Sequence, residues 1–228
     1  MTIELALRLT ECLLGLALMQ SSLEHIGLNR PGEGLLFLPR FLLAIALAAG
    51  ILPGWIPLAL LIHALWVLIR FDGPYNGGSD RMALLMLACL AAARLWPTMA
   101  GQELAFAYLA LQLMLSYLIA GWVKIVNPEW RSGRALRDVF QFSVYPVSKD
   151  LRRLAEWPRL MFAASWMVML FELAFPLSLL NPLALAMALG LAAMFHLSNA
   201  LFLGLNRFFW TWIAAFPSIL WLQQRLLV

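Results

Sequence analysis

Leu109–Trp130, LALQLMLSYLIAGWVKIVNPEW, is the stretch whose reading decides the fold. From Leu109 to Val123 no side chain carries a charge, and the first that does is Lys124. A helix needs about 20 mostly apolar residues to cross a bilayer, and this stretch supplies them with the apolar residues just before it. The position of the charge is equally informative. Of 16 basic residues only Lys124 and Lys149 are lysines. A desolvated ammonium gives up its proton readily, whereas a guanidinium effectively never does. Lys124 therefore reads either as a proton-transfer group or as a cation reaching from a helix end to the interface. Tyr117, seven residues earlier, shares its helix face.

The rest of the chain has the same character. Its 228 residues are 63% hydrophobic and 12% charged, against about 25% charged in a soluble domain. The chain reads as an all-α, polytopic membrane bundle. Eight apolar segments fall near 3–22, 35–51, 55–71, 80–96, 103–125, 158–180, 182–203 and 207–226. Glu4, Arg8 and Glu11 interrupt the first, so it is expected to remain as a helix and not to act as a secretory signal. There is no internal repeat, and one helical domain over 1–228 is expected. Gly50–Gly54 and Asn181-Pro182 read as short links between helices.

The long polar stretch, about 126–157, alternates Arg134 and Arg137 with Ala135, Leu136, Val139 and Phe140, as an interfacial amphipathic helix does. The loops holding Arg30, Arg70 and Arg81, and Arg207 share its side in an eight-span arrangement. The positive-inside rule makes that side cytoplasmic and puts both termini outside. The net charge of +4 is accounted for by this topology and does not point to nucleic acid. Cys12 and Cys89 lie in apolar runs without metal-like spacing and read as inert buried thiols.

Ionisable groups at membrane depth need a partner or a function. Glu4, Arg8 and Glu11 share a helix face and read as a self-neutralising cluster or a ligand contact. Glu172 lies four residues before Pro176, which has no N–H to give to the carbonyl of residue 172. It reads as a structural carboxyl or as part of an internal site. His196, Asn199 and Asn206 fall near one face and suggest either a satisfied core histidine or a polar cavity. No spacing suggests a metal site. In RFDGPYNGGSDRM, Ser79/Asp80 reads as a helix cap, and Asn76 is a further candidate.

Three segments in order carry a resemblance. YLIAGWVKIVNPEW (117–130) resembles the lysine segment of the vitamin K-dependent gamma-glutamyl carboxylases. FHLSNALFLGLNRFFW (195–210) is similar to their later Phe-His-x-x-Asn segment, and RFDGPYNGGSDRMALLML (70–87) to the loop before both. The chain thus resembles the membrane part of those enzymes, the horizontally transferred transmembrane (HTTM) domain.

The resemblance implies a membrane enzyme that uses a reduced quinone, vitamin K hydroquinone or a menaquinol-like molecule, with oxygen and carbon dioxide. Lys124 would be the base, in a dry cavity lined by Tyr117, His196, Asn199, Glu172, Asn76 and Trp130, and the substrate a glutamate-containing protein or peptide. It also implies a multi-pass protein of the bacterial inner membrane. Two departures favour the quinol chemistry over the carboxylation. The animal enzymes carry a large lumenal domain, and a functional histidine of theirs has no counterpart in LACLAAARLWPTMAGQELAF (87–106). Two alternatives stay open: a non-enzymatic protein of peptide or bacteriocin maturation, immunity or transport, and a DoxX-like quinone-binding redox subunit.

Overall fold

The computed structural model describes residues 1–27, 33–70, 77–142 and 149–227. Among them every regular element is helical: α1 (Ile3–Gly27), α2 (Glu33–Ala49), α3 (Trp55–Arg70), α4 (Gly78–Leu95), α5 (Met99–Val126), α6 (Pro128–Arg131), α7 (Arg134–Phe142), α8 (Lys149–Arg152), α9 (Pro158–Ala174), α10 (Pro182–Leu203) and α11 (Asn206–Leu227). Short 3-10 turns cover Arg153–Glu156 and Phe175–Leu180. The eight apolar segments fall mainly on α1 to α5, α9 with the 3-10 turn after it, α10 and α11, and residue 71, at the end of the third, lies outside the described residues. Among the described residues three stretches are suited by length and composition to crossing a membrane: Met99–Val126, Pro158–Leu180 and Pro182–Leu203. Gly34–Ala49 and Trp55–Arg70 are apolar but shorter.

The chain divides into two compact units, one of residues 1–111 with 207–228 and one of residues 112–206. In the first, α1 packs along α2, and α3 along α4. Gly15 makes the α1–α2 approach feasible, since a Cβ there would sit 2.8 Å from the Ala44 carbonyl oxygen. The helix ends follow their sequences. Gly50, at φ 76°, closes α2 in the left-handed region. Asn181 caps α10 by accepting from the Leu183 and Ala184 N–H groups at 2.8 and 3.1 Å. The α4 cap lies at Gly77, earlier than Ser79/Asp80; Asp80 sits at the third helical position and accepts the Gly77 N–H at 3.2 Å.

α1 runs to Gly27, beyond the expected end at residue 22, because its polar final turns are buried. The Ser21 and Ser22 hydroxyls accept from the Arg40 guanidinium at 2.9 and 2.8 Å, and His25 stacks on Phe37 with ring centres 3.9 Å apart. The charges near the start of α1 form a network wider than the three residues that suggested it. Arg8 pairs with Glu11, but Arg94 of α4 reaches both Glu11 and Glu4 at 2.6 Å. Glu11 is fully buried. Arg8 also donates to the Ala48 carbonyl at 3.1 Å, tying in the C-terminus of α2.

In the second unit α7 has the amphipathic pattern expected of it; part of its apolar side packs on its own unit, while Val139 and Phe142 stay exposed. Phe140 buries against Ala155 and Met161, with Leu136 and Leu154 alongside. The exposed side keeps Arg134, while Arg137 and Asp138 are half-buried.

Candidate functional site

Lys124 sits in the last turn of α5 and Glu172 in the last turn of α9. The Lys124 Nζ donates to both carboxylate oxygens of Glu172, at 2.7 and 2.8 Å. Its contact with the Ala120 carbonyl, at 3.4 Å, is longer. The Glu172 side chain is 4% exposed and that of Lys124 18%. The ammonium is therefore held inside the unit by a carboxylate, and it does not reach freely outward as a helix-end cation would.

Two sequence features build this contact. Gly121 lies one turn before Lys124, and a Cβ there would sit 2.8 Å from the Leu173 nitrogen and 3.0 Å from the Glu172 Cβ. Only glycine lets the α5 and α9 backbones approach so closely, as small residues do in membrane helix packing. Pro176 supplies the second feature. Having no N–H, it cannot continue the α-helical ladder, and α9 gives way to a 3-10 turn from Phe175.

Trp130 covers the amine. Its ring centre lies 5.3 Å from the Lys124 Nζ, a cation–π contact. The Trp130 carbonyl accepts from the Ser165 hydroxyl at 2.5 Å, and the Arg131 carbonyl from the Trp166 ring N–H at 3.1 Å. Short helix α6, capped by Asn127 through the Glu129 N–H at 2.9 Å, is thus tied to α9.

Two turns before Lys124 on the same face of α5, Tyr117 meets His196 of α10. The phenol oxygen and Nε2 are 2.9 Å apart, and both residues are buried. Tyr117 stacks on Phe175 with ring centres 4.0 Å apart and meets Phe171 edge-on at 6.1 Å. The structure brings together Lys124, Glu172 and Trp130 in one group and Tyr117 and His196 in another, with Phe171 of α9 and Phe175 of the 3-10 turn after it packed against the tyrosine. Phe175 lies against the Tyr117 ring on one side.

Asn199 is half-buried one turn beyond His196, and its backbone carbonyl accepts the Leu205 N–H at 3.1 Å where α10 ends at Gly204. Asn76 lies outside the described residues. Gly121, Phe175, Ser165 and Trp166 were not anticipated. Only Gly121 carried a readable signal, as a small residue in an apolar run one turn from the lone charge. No group of three or more His, Cys, Asp or Glu side chains that could hold a metal occurs among the described residues.

Apolar helices around an internal Lys–Glu pair define the class: an all-helical membrane protein with a buried, charge-neutral polar site. A sequence model of the HTTM domain matches residues 100–223, which takes in Lys124, Glu172, Tyr117, His196 and Trp130, and the chain belongs to the HTTM domain family. No curated protein and no solved structure matches it.

Proposed function

We propose that this protein is a membrane-embedded enzyme of the vitamin K-dependent gamma-carboxylase type, in which Lys124 receives the hydroxyl proton of a reduced quinone. The observation that carries the reading is the internal Lys124–Glu172 pair. An ionisable lysine kept 18% exposed, between a carboxylate and an indole face, is costly in an apolar helix unless it has work to do.

The residues present fit a reduced quinone of the vitamin K or menaquinol type. Its flat ring suits the half-buried aromatic faces of Trp130 and Phe171, and its acidic hydroxyl suits an amine as proton acceptor. When bound, such a reduced quinone would supply the electrons, and oxygen the oxidant, for generating a base strong enough to deprotonate a glutamate side chain that then takes up carbon dioxide. The chain's own part is narrower. Lys124 receives a proton and remains as the cation beside the new oxyanion. Trp130 limits water at that point. Tyr117 and His196 form a hydrogen-bonded pair that can offer a donor to a second oxygen. The proposed setting is a multi-pass protein of a bacterial cytoplasmic membrane, with a glutamate-containing protein or peptide as acceptor.

A non-enzymatic reading is favoured by a different observation, the tight Gly121–Leu173 approach. It fits a Lys–Glu contact that serves only to clamp α5 to α9 in a peptide-maturation, immunity or transport protein. Purified protein in lipid nanodiscs separates the two. The enzymatic reading expects co-purifying isoprenoid quinone and consumption of added quinol that Lys124→Ala abolishes without changing the helical content. Undiminished consumption in that variant, or none by the wild type, contradicts it.

A further inference from the structure

Both Glu172 oxygens lie on the Lys124 ammonium, at 2.7 and 2.8 Å. With the Ala120 carbonyl as a third acceptor at 3.4 Å, all three N–H bonds of an ammonium have a partner, and such an ammonium has no lone pair for an incoming hydroxyl proton. It can take up a proton only as it releases one. The groups placed to receive the released proton are the two Glu172 oxygens, since the third recorded contact, the Ala120 carbonyl, does not accept a proton outright. Taking as its basis the reading of Lys124 as the group that meets an acidic hydroxyl, we infer that Glu172 is the terminal proton acceptor of the site, reached through Lys124.

The step balances without any redox partner. The substrate O–H bond breaks as a new N–H bond forms at Lys124 Nζ. One of the N–H bonds directed at Glu172 breaks as a carboxyl O–H bond forms there. The negative charge passes from the Glu172 carboxylate to the substrate oxygen, and the ammonium remains between them. Before and after, the protein's cation has one anionic neighbour, so no net charge is created in a low-dielectric interior, where an unpaired charge is strongly disfavoured.

The surroundings suit that role. The Glu172 side chain is 4% exposed, which leaves bulk water a poor recipient for the proton. Gly121 fixes the distance by letting the Glu172 backbone approach α5. Glu172 touches no substrate in this step. It is a positioning residue that also stores the proton.

The test uses the full chain in nanodiscs and, as probe, the monomethyl ether of a reduced naphthoquinone, which presents one acidic hydroxyl. Ultraviolet absorbance reports formation of the naphtholate, and infrared difference spectra report the carboxyl groups. With wild type, naphtholate formation is expected together with a new protonated-carboxyl stretch. That stretch is absent in Glu172→Gln and present at a moved frequency in Glu172→Asp. A clamp without a proton role changes the thermal midpoint in these variants but gives no carboxyl band. Naphtholate formation without the band, or a band that persists in Glu172→Gln, overturns the inference and leaves Lys124 as the base. A wild-type protein that neither binds nor ionises the probe overturns both the inference and the functional reading beneath it.

Discussion

Gly121 lies so close to α9 that a Cβ at its position would meet the Leu173 nitrogen at 2.8 Å, and the Lys124–Glu172 pair forms one turn further on. The backbone contact and the ion pair are parts of one device. The absent side chain brings the helices together, and the proximity lets a four-carbon lysine stem bring its ammonium onto a carboxylate on the facing helix.

Gly121→Ala is expected to push α5 from α9 and to lower stability by about 1–3 kcal/mol, the usual cost of overpacking. Thermal unfolding in detergent measures the loss. Because backbone atoms are in the way, it should exceed the loss from Gly190→Ala, where a Cβ meets nothing within 4 Å.

Tyr117→Phe removes the hydrogen bond to His196 and keeps the stacking on Phe175. The expected loss is about 0.6 kcal/mol and at most about 1.7, the range found for side-chain hydrogen bonds between membrane helices. Tyr117→Ala also removes the ring and should cost about 3–5 kcal/mol. Comparing the two thermal midpoints separates the bond from the packing.

Trp130→Ala uncovers the amine, while Trp130→Phe retains an aromatic face. The cation–π term is about 0.5–2 kcal/mol, so the stability change is small and the reactivity change is the clearer readout. Lys124 should acylate faster in the alanine variant than in the phenylalanine variant. Mass spectrometry of the modified lysine reads this directly.

Arg94→Ala leaves the fully buried Glu11 with Arg8 as its remaining cation. Breaking a buried pair from one side typically costs about 3–5 kcal/mol, and the variant should show a correspondingly lower midpoint. Arg94→Ala with Glu11→Gln should recover part of the loss, since the uncompensated charge is then gone.

Much of the helical architecture is legible in the chain because apolar runs of spanning length have few other ways to satisfy their backbone. The ends are less so. α1 continues through Ser21, Ser22 and His25, polar residues that end a hydropathy run but are held by Arg40 and Phe37 once folded. The amphipathic pattern of α7 was readable, whereas the surface that receives its apolar stripe, Ala155 and Met161, depends on tertiary packing.

The site divides in the same way. Lys124, Glu172, Tyr117 and His196 each stand out as polar residues in apolar surroundings, and each was identifiable singly. The resemblance grouped them around one cavity, but which pairs with which was not legible, since Lys124 and Glu172 are 48 residues apart and Tyr117 and His196 are 79. Periodicity reports faces within a helix and is silent on which helix lies opposite. The same limit hid Arg94 as the partner of Glu11.

Lys149→Arg leaves Lys124 as the sole lysine in the chain, so an isotope-labelled side-chain nitrogen resonance then belongs to one residue. Recording it in nanodiscs before and after addition of a reduced naphthoquinone tests the central claim most directly. The account predicts a resonance that moves when the quinol is added, with the oxidised quinone producing a smaller change. A resonance indifferent to the reduced quinone at saturating concentration would contradict it.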